Sequence, residues 1–242
     1  MIAHGRRTVL GPVSPARLDA LVDALELPAG ARVVELGCGK ADLLVRILGR
    51  WPNVSAEGFD RNPWFLADAR EAADSVGVSA RLSLIDTDAP GAMLAGRSVD
   101  LAIAVGATGI VGDVAETLAF LATIVEPGGQ VVFGDGAWVA PPPGDGLAAF
   151  GMTRDELPDG AAGFTALAVA AGLEPIEVDL VSTDEWDTYE DAYAGAIEHW
   201  AATVGHDDPD RESFLERAAM FRATYAGWRR ACLGFALGRF RR

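Results

Sequence analysis

A carboxylate, a turn almost free of side chains and a second carboxylate follow one another in Glu35-Leu36-Gly37-Cys38-Gly39-Lys40-Ala41-Asp42. The run before the turn, Arg32 to Leu36, reads as a buried strand, and Asp42 to Arg50 resumes a helical pattern. A strand entering such a turn and a helix leaving it let a ligand lie against bare backbone at the carboxyl end of the strand. Spacing narrows the ligand. A dinucleotide fingerprint, G-x-G-x-x-G, needs its third glycine where Asp42 stands. A carboxylate there would face a pyrophosphate, so a nucleotide-dependent oxidoreductase is disfavoured. Other reactive side chains are sparse. His4, His199 and His206 have no metal-ligand spacing, so no metal site is expected. His199 and His206 read as surface residues. Cys38 and Cys232 are too few for a disulfide framework. Lys40, beside the glycine loop, is the only lysine in the chain.

The elements that must position these groups alternate regularly. Ser14-Pro15 reads as a helix cap followed by a proline in the first turn, and Leu18, Leu21, Val22 and Leu25 give the helix an apolar face. After the glycine loop come a strand (Val54 to Asp60), a helix capped by Asn62 (Pro63 to Val76), and a strand (Ala80 to Ile85). An almost wholly apolar strand (Val99 to Val105), a helix (Asp113 to Val125) and a strand (Gln130 to Phe133) follow. This order predicts an α/β fold with a parallel sheet and helices on both faces. Residues 138–162, rich in proline and glycine, read as a loop or lid. Beyond it the pattern predicts a helix (Phe164 to Ala171) and a strand (Leu173 to Val181). Ser182 and Glu185 form a capping box that opens a helix to about Val204. A further helix (about Pro209 to Arg229) and a final strand (Cys232 to Phe240) complete the chain. No repeat or clean linker divides it. One domain is expected over 1–242: an arm and helix (1–30), a core (31–135), and lid, cap and C-terminal strands (136–242).

The glycine segment resembles motif I of class I S-adenosylmethionine-dependent methyltransferases, an acidic residue followed by G-x-G-x-G. It stands here as Glu35, Gly37, Gly39 and Ala41, with alanine where the family has glycine. Further points agree in order, over about residues 14–135. Asp60, in Gly58-Phe59-Asp60-Arg61, ends the second strand, where the family carries an acid for both ribose hydroxyls. Asp86-Thr87 ends the third strand, where adenine is contacted, and Val105-Gly106 ends the fourth, where the backbone passes the methionine moiety. The resemblance implies a Rossmann-like fold with a mostly parallel seven-stranded sheet and a helical cap. It implies S-adenosylmethionine as cofactor, S-adenosylhomocysteine as product, and Glu35, Gly37, Cys38, Gly39, Asp60, Arg61, Asp86, Thr87, Val105 and Gly106 as cofactor contacts. Glu35 would brace the loop or reach the methionine amine. The bacterial small-molecule methyltransferases are the nearest subgroup in pattern, on the Ser-Pro helix start and the Trp-Asp-x-Tyr helix after the sixth strand.

Methyl transfer needs alignment more than a fixed catalytic residue. His4 is the one candidate base, in an arm that the resemblance folds over the pocket, and a terminal histidine without a role is the plain alternative. Trp186, Tyr189, Tyr193, Ile197 and Trp200 form a stripe at helical spacing. Core packing is the first explanation of that stripe; an aromatic wall for a flat or cationic acceptor is the functional one. Trp138, after the fifth strand, and the Pro141-Pro142-Pro143 run lie where a substrate lid would begin, and a lid recruits aromatic contacts, so Trp138 is a substrate-contact candidate. The formal charge of −15 and the absence of an Asn/Asp-Pro-Pro-aromatic motif after the fourth strand argue against a nucleic-acid substrate. No run approaches the ~20 apolar residues of a membrane span, and no secretory signal is read, so the expectation is a cytoplasmic enzyme with no membrane partner. A homodimer is left open. A methyltransferase fold that only binds or regulates is the competing function.

Overall fold

Strands β1 (Arg32–Leu36), β2 (Ser55–Asp60), β3 (Leu82–Asp86), β4 (Val99–Val105) and β5 (Val125–Trp138) pair in parallel. Helices between them carry the chain back to the same edge each time. The computed structural model describes residues 2–5 and 7–242. Strands β6 (Glu174–Leu180) and β7 (Leu233–Arg241) complete a seven-stranded sheet in the order β3-β2-β1-β4-β5-β7-β6. Strand β7 runs antiparallel to both β5 and β6. The order reverses between β1 and β4, so the loops after these two strands part and leave a crevice at their carboxyl ends.

Alternation along the strands divides the apolar residues between two layers. Val33, Leu101, Ile103 and Val132 face α1 (Pro15–Asp23), α2 (Asp42–Arg50) and α3 (Pro63–Ser75). Val34, Ala102, Ala104 and Phe133 face α4 (Pro90–Leu94), α5 (Val114–Ile124) and α7 (Gly160–Ala170), beyond the short α6 (Gly144–Ala149). Glu35, two residues past Val33, shares the first of these faces. The predicted caps are present: the Ser14 hydroxyl accepts from Arg17 N–H at 3.2 Å, and Asn62 Oδ1 accepts from Trp64 N–H at 3.1 Å. Among the described residues no helix is long and apolar enough to cross a membrane.

The cap is a helical hairpin, α8 (Thr183–Ala202) and α9 (Arg211–Thr224), fused around Ala194, Ile197 and Ala218. The Ser182–Glu185 capping box forms as predicted, and its glutamate does more. The Glu185 carboxylate takes a fork of contacts from the Arg17 guanidinium (Nε at 3.0 Å, Nη2 at 2.8 Å) and the Ser14 N–H at 3.0 Å. One side chain therefore starts α8 and fastens the cap to α1.

Three stretches differ from the pattern-based reading. Strand β5 runs to Trp138, not Phe133, because β7 pairs with it over the whole length from Gln130 to Trp138. Residues 138–162 are not a plain loop: Trp138 closes β5, α6 and a turn at Arg154–Glu156 interrupt the segment, and α7 begins at Gly160. Glycine and alanine at 160–163 give no hydrophobic period by which to see that start. Helix α9 stops at Thr224; a π-helical turn, Tyr225–Arg229, and a last helical turn, Arg230–Cys232, lead into β7. Gly227, the least favourable residue but proline for a helix interior, lies within that turn.

Candidate functional site

The loop after β1 owes its shape to residues at positive φ: Gly37 (63°), Gly39 (53°) and Ala41 (54°). At Gly37 a Cβ would meet Ala107 Cβ and Ile110 Cδ1, each at 2.8 Å, so glycine lets the loops after β1 and β4 touch. Ala41 adopts the left-handed conformation usually left to glycine, at a cost of about 1–2 kcal/mol. It starts α2 with its methyl fully buried.

Asp60, at the end of β2, is held from both sides. Oδ2 accepts the Gly39 N–H at 2.8 Å and Oδ1 accepts the Asn62 N–H at 2.8 Å. Two oxygens have about four lone-pair sites, so half remain free toward the crevice. Glu35 is buried (5% exposed), and its Oε2 has no hydrogen-bond partner. Burial, and then the neighbouring Asp42 and Asp60 charges, push its carboxyl well above the ordinary range. A buried carboxyl without a partner, among two other carboxylates, is suited to a ligand cation. The Cys38 thiol is pushed up by burial and by Glu35 and Asp60, so it stays protonated and is no nucleophile at neutral pH.

These groups line a cavity of about 590 Å³. Of the residues the sequence singles out, Glu35, Gly37, Cys38, Gly39, Asp60 and Arg61 lie in its wall, as do Thr87, Val105 and Gly106. Asp86 does not. It is the last residue of β3, paired with Asp60 in register, and its side chain is exposed outside the cavity. The wall is formed by the next residues, Thr87 and Asp88, so the acid at this corner is Asp88. Asp42 also lines the cavity and takes Arg46 Nε at 2.6 Å.

The N-terminal arm covers the mouth. His4, Thr8, Val9 and Leu10 line the cavity, and Lys40 ties the arm down. Its Nζ donates to Gly5 O at 3.0 Å and pairs with Asp68 at 2.8 Å, with only 6% of the side chain exposed. The one lysine of the chain thus links the glycine loop, the arm and α3. The His4 ring packs edge-on to Phe65 and Tyr193, with Nδ1 buried and unpartnered. Burial first, then the positive charges around it, Lys40 and Arg7 among them, lower its pKa to about 4. His4 is neutral at pH 7 and a weak base.

Beyond Leu10, Gly11, Gly106 and Phe235, which belong to both, a second cavity of about 360 Å³ opens under the cap. Its floor is Asp135, Gly136 and Trp138 of β5; its roof is Trp186, Tyr189, Glu190 and Tyr193 of α8, closed by Phe221, Trp228 and Arg229. The substrate-contact candidates Trp138, Trp186 and Tyr189 therefore meet in one chamber. Trp138 belongs to a strand rather than a lid, and its indole N–H is spent on Arg154 O at 2.8 Å. Burial raises the Tyr189 hydroxyl to about 12, so it stays a phenol. His199 and His206 are exposed outside both cavities. Sequence reasoning passed over Asp135, Phe221, Trp228 and Arg229. The spacing of Phe221 and Trp228, seven residues on one helical pattern, was the available sign of a second aromatic face.

A family description, "Methyltransferase domain", matches residues 8–140, more than half of the chain. The chain is 29% identical over 243 residues to the uncharacterized protein YjhP of Escherichia coli K12, covering 98% of this chain and 94% of that protein. It superimposes on a SAM-dependent methyltransferase of Geobacter sulfurreducens in complex with S-adenosyl-L-homocysteine, with TM-score 0.90 and 27% identity. That match covers 100% of this chain and 96% of the other. The corresponding protein of Thiobacillus denitrificans, also in complex with S-adenosyl-L-homocysteine, gives TM-score 0.88 and 29% identity over 100% and 97% of the two chains.

Proposed function

This chain belongs to the class I S-adenosylmethionine-dependent methyltransferases, and from that premise we propose that it methylates a small molecule held in the chamber under its cap. The support rests first on the Asp60 carboxylate, fixed by two backbone N–H groups with its free lone pairs toward the crevice. Such a group suits two vicinal hydroxyls of a ribose. Glu35 adds a second, independent fit: its unpartnered oxygen matches the ammonium of the methionine moiety. Thr87 and Asp88 take the adenine end, where the carboxylate accepts from an exocyclic amine, and Gly106 lies along the methionine path. Gly37 and Gly39 keep the loop bare for close approach.

When bound, the cofactor supplies a methyl carbon on a sulfonium; the acceptor's lone pair takes that carbon and the S–C pair returns to sulfur. The residues of this chain orient the partners and keep water out. The arm, latched by Lys40, roofs the crevice. Leu10, Gly11, Gly106 and Phe235 form the neck through which the two cavities meet, so an acceptor in the chamber faces the ligand in the crevice. Positioning of this kind supplies much of the rate in an in-line displacement. His4 and Cys38 contribute little proton chemistry at pH 7, since one is a weak base and the other a protonated thiol.

Transfer of labelled methyl from S-adenosylmethionine into metabolite extracts tests the reading. A labelled small molecule, absent when Asp60 is replaced, is the expected result. Tight binding of S-adenosylhomocysteine with no labelled product in any extract would instead mark a binding or regulatory protein.

A further inference from the structure

Arg229 ends the π-helical turn with its guanidinium in the chamber wall, 5.4 Å from the Phe221 ring centre and 5.8 Å from that of Phe150. Only 11% of its side chain is exposed. One amino group, Nη2, donates to Glu190 Oε1 at 2.8 Å, while Nη1 is buried without any partner. The other three arginines that pair with carboxylates of α8 each use a fork: Arg222 meets Glu198 through Nε at 3.0 Å and Nη2 at 3.4 Å, and turns Nη1 to Asp191 at 3.1 Å. Arg17 meets Glu185 with a fork, and Arg230 meets Asp187 with another, Nε and Nη2 each at 2.8 Å. Those forks already join α8 to α1 and to the end of the cap. A fourth arginine serving only to hold helices together would use its fork in the same way. Arg229 makes a single-point contact and keeps a charged donor in reserve, which is costly in an aromatic enclosure unless something arrives to use it.

The other unmet need in the chamber has the same sign. Trp186, also in the wall, has its indole N–H buried and unpartnered. No fully shielded side-chain acceptor atom among the described lining residues lacks a donor: Asp135 takes backbone N–H groups from Thr108 at 3.1 Å and Gly136 at 2.7 Å, and Glu190 takes Arg229 through Oε1. Four of the aromatic rings do not favour a cation either. Arginines of the chain already lie over Phe150, Phe221, Tyr189 (Arg7, 5.3 Å) and Trp138 (Arg154, 5.7 Å). An ammonium would find one face of each occupied by like charge.

We propose that the acceptor is a flat, unsaturated small molecule bearing a carboxylate, and that Arg229 binds that carboxylate while the aromatic walls enclose its body. This assignment rests on the methyl-transfer reading of the same chamber. A carboxylate oxygen pairs with Nη1 without displacing Glu190, and the planar guanidinium matches a carboxylate in geometry. The Trp186 N–H is then available to a further oxygen of the same molecule.

The test uses the full chain saturated with S-adenosylhomocysteine and three matched probes, cinnamate, cinnamamide and cinnamylamine, titrated by ligand-observed NMR. Cinnamate should bind at least ~10-fold more tightly than the amide, the amine most weakly, the range expected for a charged hydrogen bond. Arg229→Gln should bring acid and amide to equal affinity, Arg229→Lys should restore part of the difference, and both should keep the S-adenosylhomocysteine affinity within about twofold. The wild-type comparison stands even if a variant fails to fold. Equal binding of acid and amide, no binding of any probe at millimolar concentration, tightest binding of the amine, or an acid preference that survives Arg229→Gln would each overturn the assignment. Failure of the wild type to bind S-adenosylhomocysteine would strike the methyl-transfer reading itself, which separates the two failures.

Discussion

Replacing Asp60 with alanine removes an acceptor that faces two ways at once. Inward, its oxygens hold the Gly39 and Asn62 N–H groups at 2.8 Å each. Outward, the free lone pairs take the two ligand hydroxyls. A hydrogen bond to a charged group is worth about 1.5–3 kcal/mol. The two ligand bonds share one half-buried carboxylate, so about 2–3 kcal/mol in total is the reasonable figure, a 30- to 150-fold weaker Kd at ~1.4 kcal/mol per decade. The inward loss is smaller because water can reach the freed N–H groups: about 1–2 kcal/mol, or a fall in Tm of roughly 2–8 °C for a chain of this size. Asp60→Asn is no milder, because its amide N–H₂ would turn a donor toward Gly39 or Asn62. Calorimetric titration with S-adenosylhomocysteine measures the first effect and a thermal melt the second. The 2′-deoxy analogue sharpens the result. It should bind about tenfold more weakly than the parent to the wild type and no more weakly to Asp60→Ala, since the lost hydroxyl and the lost carboxylate are one interaction. A folded variant with Kd within threefold of wild type, or one that still penalises the deoxy ligand, would refute the placement of the ribose.

Glu35→Gln should weaken S-adenosylhomocysteine at least ~10-fold while leaving the unliganded protein as stable or more stable, because a buried carboxyl without a partner is lost. Its folded pKa lies above the unfolded one, so ionising it costs stability that is absent at low pH and grows as pH rises from ~4.3 toward the folded value. Thermal melts across that range should show the decline in wild type and not in Glu35→Gln; parallel curves would contradict it. Lys40→Met, which keeps the apolar stem, should free the arm and speed tryptic cleavage at Arg7 severalfold, with weaker S-adenosylhomocysteine binding; unchanged cleavage would dismiss the latch. At Glu185, burial opposes ionisation, but Arg17, Ser14 and Ser182 outweigh it and hold the carboxyl below its usual range. The stability it adds is full above the unfolded value of ~4.3 and is lost as pH falls through the folded one. Glu185→Gln should therefore cost about 2–3 kcal/mol at pH 7, read by urea unfolding, and progressively less below pH 4. A gap that does not narrow in acid would show that the pair is not ionic.

Local rules reached some parts of this molecule and not others. The crevice was legible because its chemistry is written in neighbouring residues: a strand, a bare turn, and an acid at the end of the next strand. The Ser182–Glu185 box was legible for the same reason, but not its second task, since Arg17 lies far off in sequence. Asp86 and Asp88 show the limit of counting: both are acids near one strand end, and only the turn at Thr87 decides which faces the cavity. The chamber was half legible. The stripe on α8 announces an aromatic face, yet Arg229 enters it through a π-helical turn that no periodicity announces, and Asp135 through an extension of β5 that only pairing with β7 creates.

A crystal structure of the full chain with S-adenosylhomocysteine would place the ligand in the crevice or elsewhere. The ribose hydroxyls should lie on Asp60, the amino group on Glu35, and the sulfur at the neck beside Gly106, facing the aromatic chamber. An adenosyl group bound elsewhere, or a sulfur turned away from that neck, would contradict this placement.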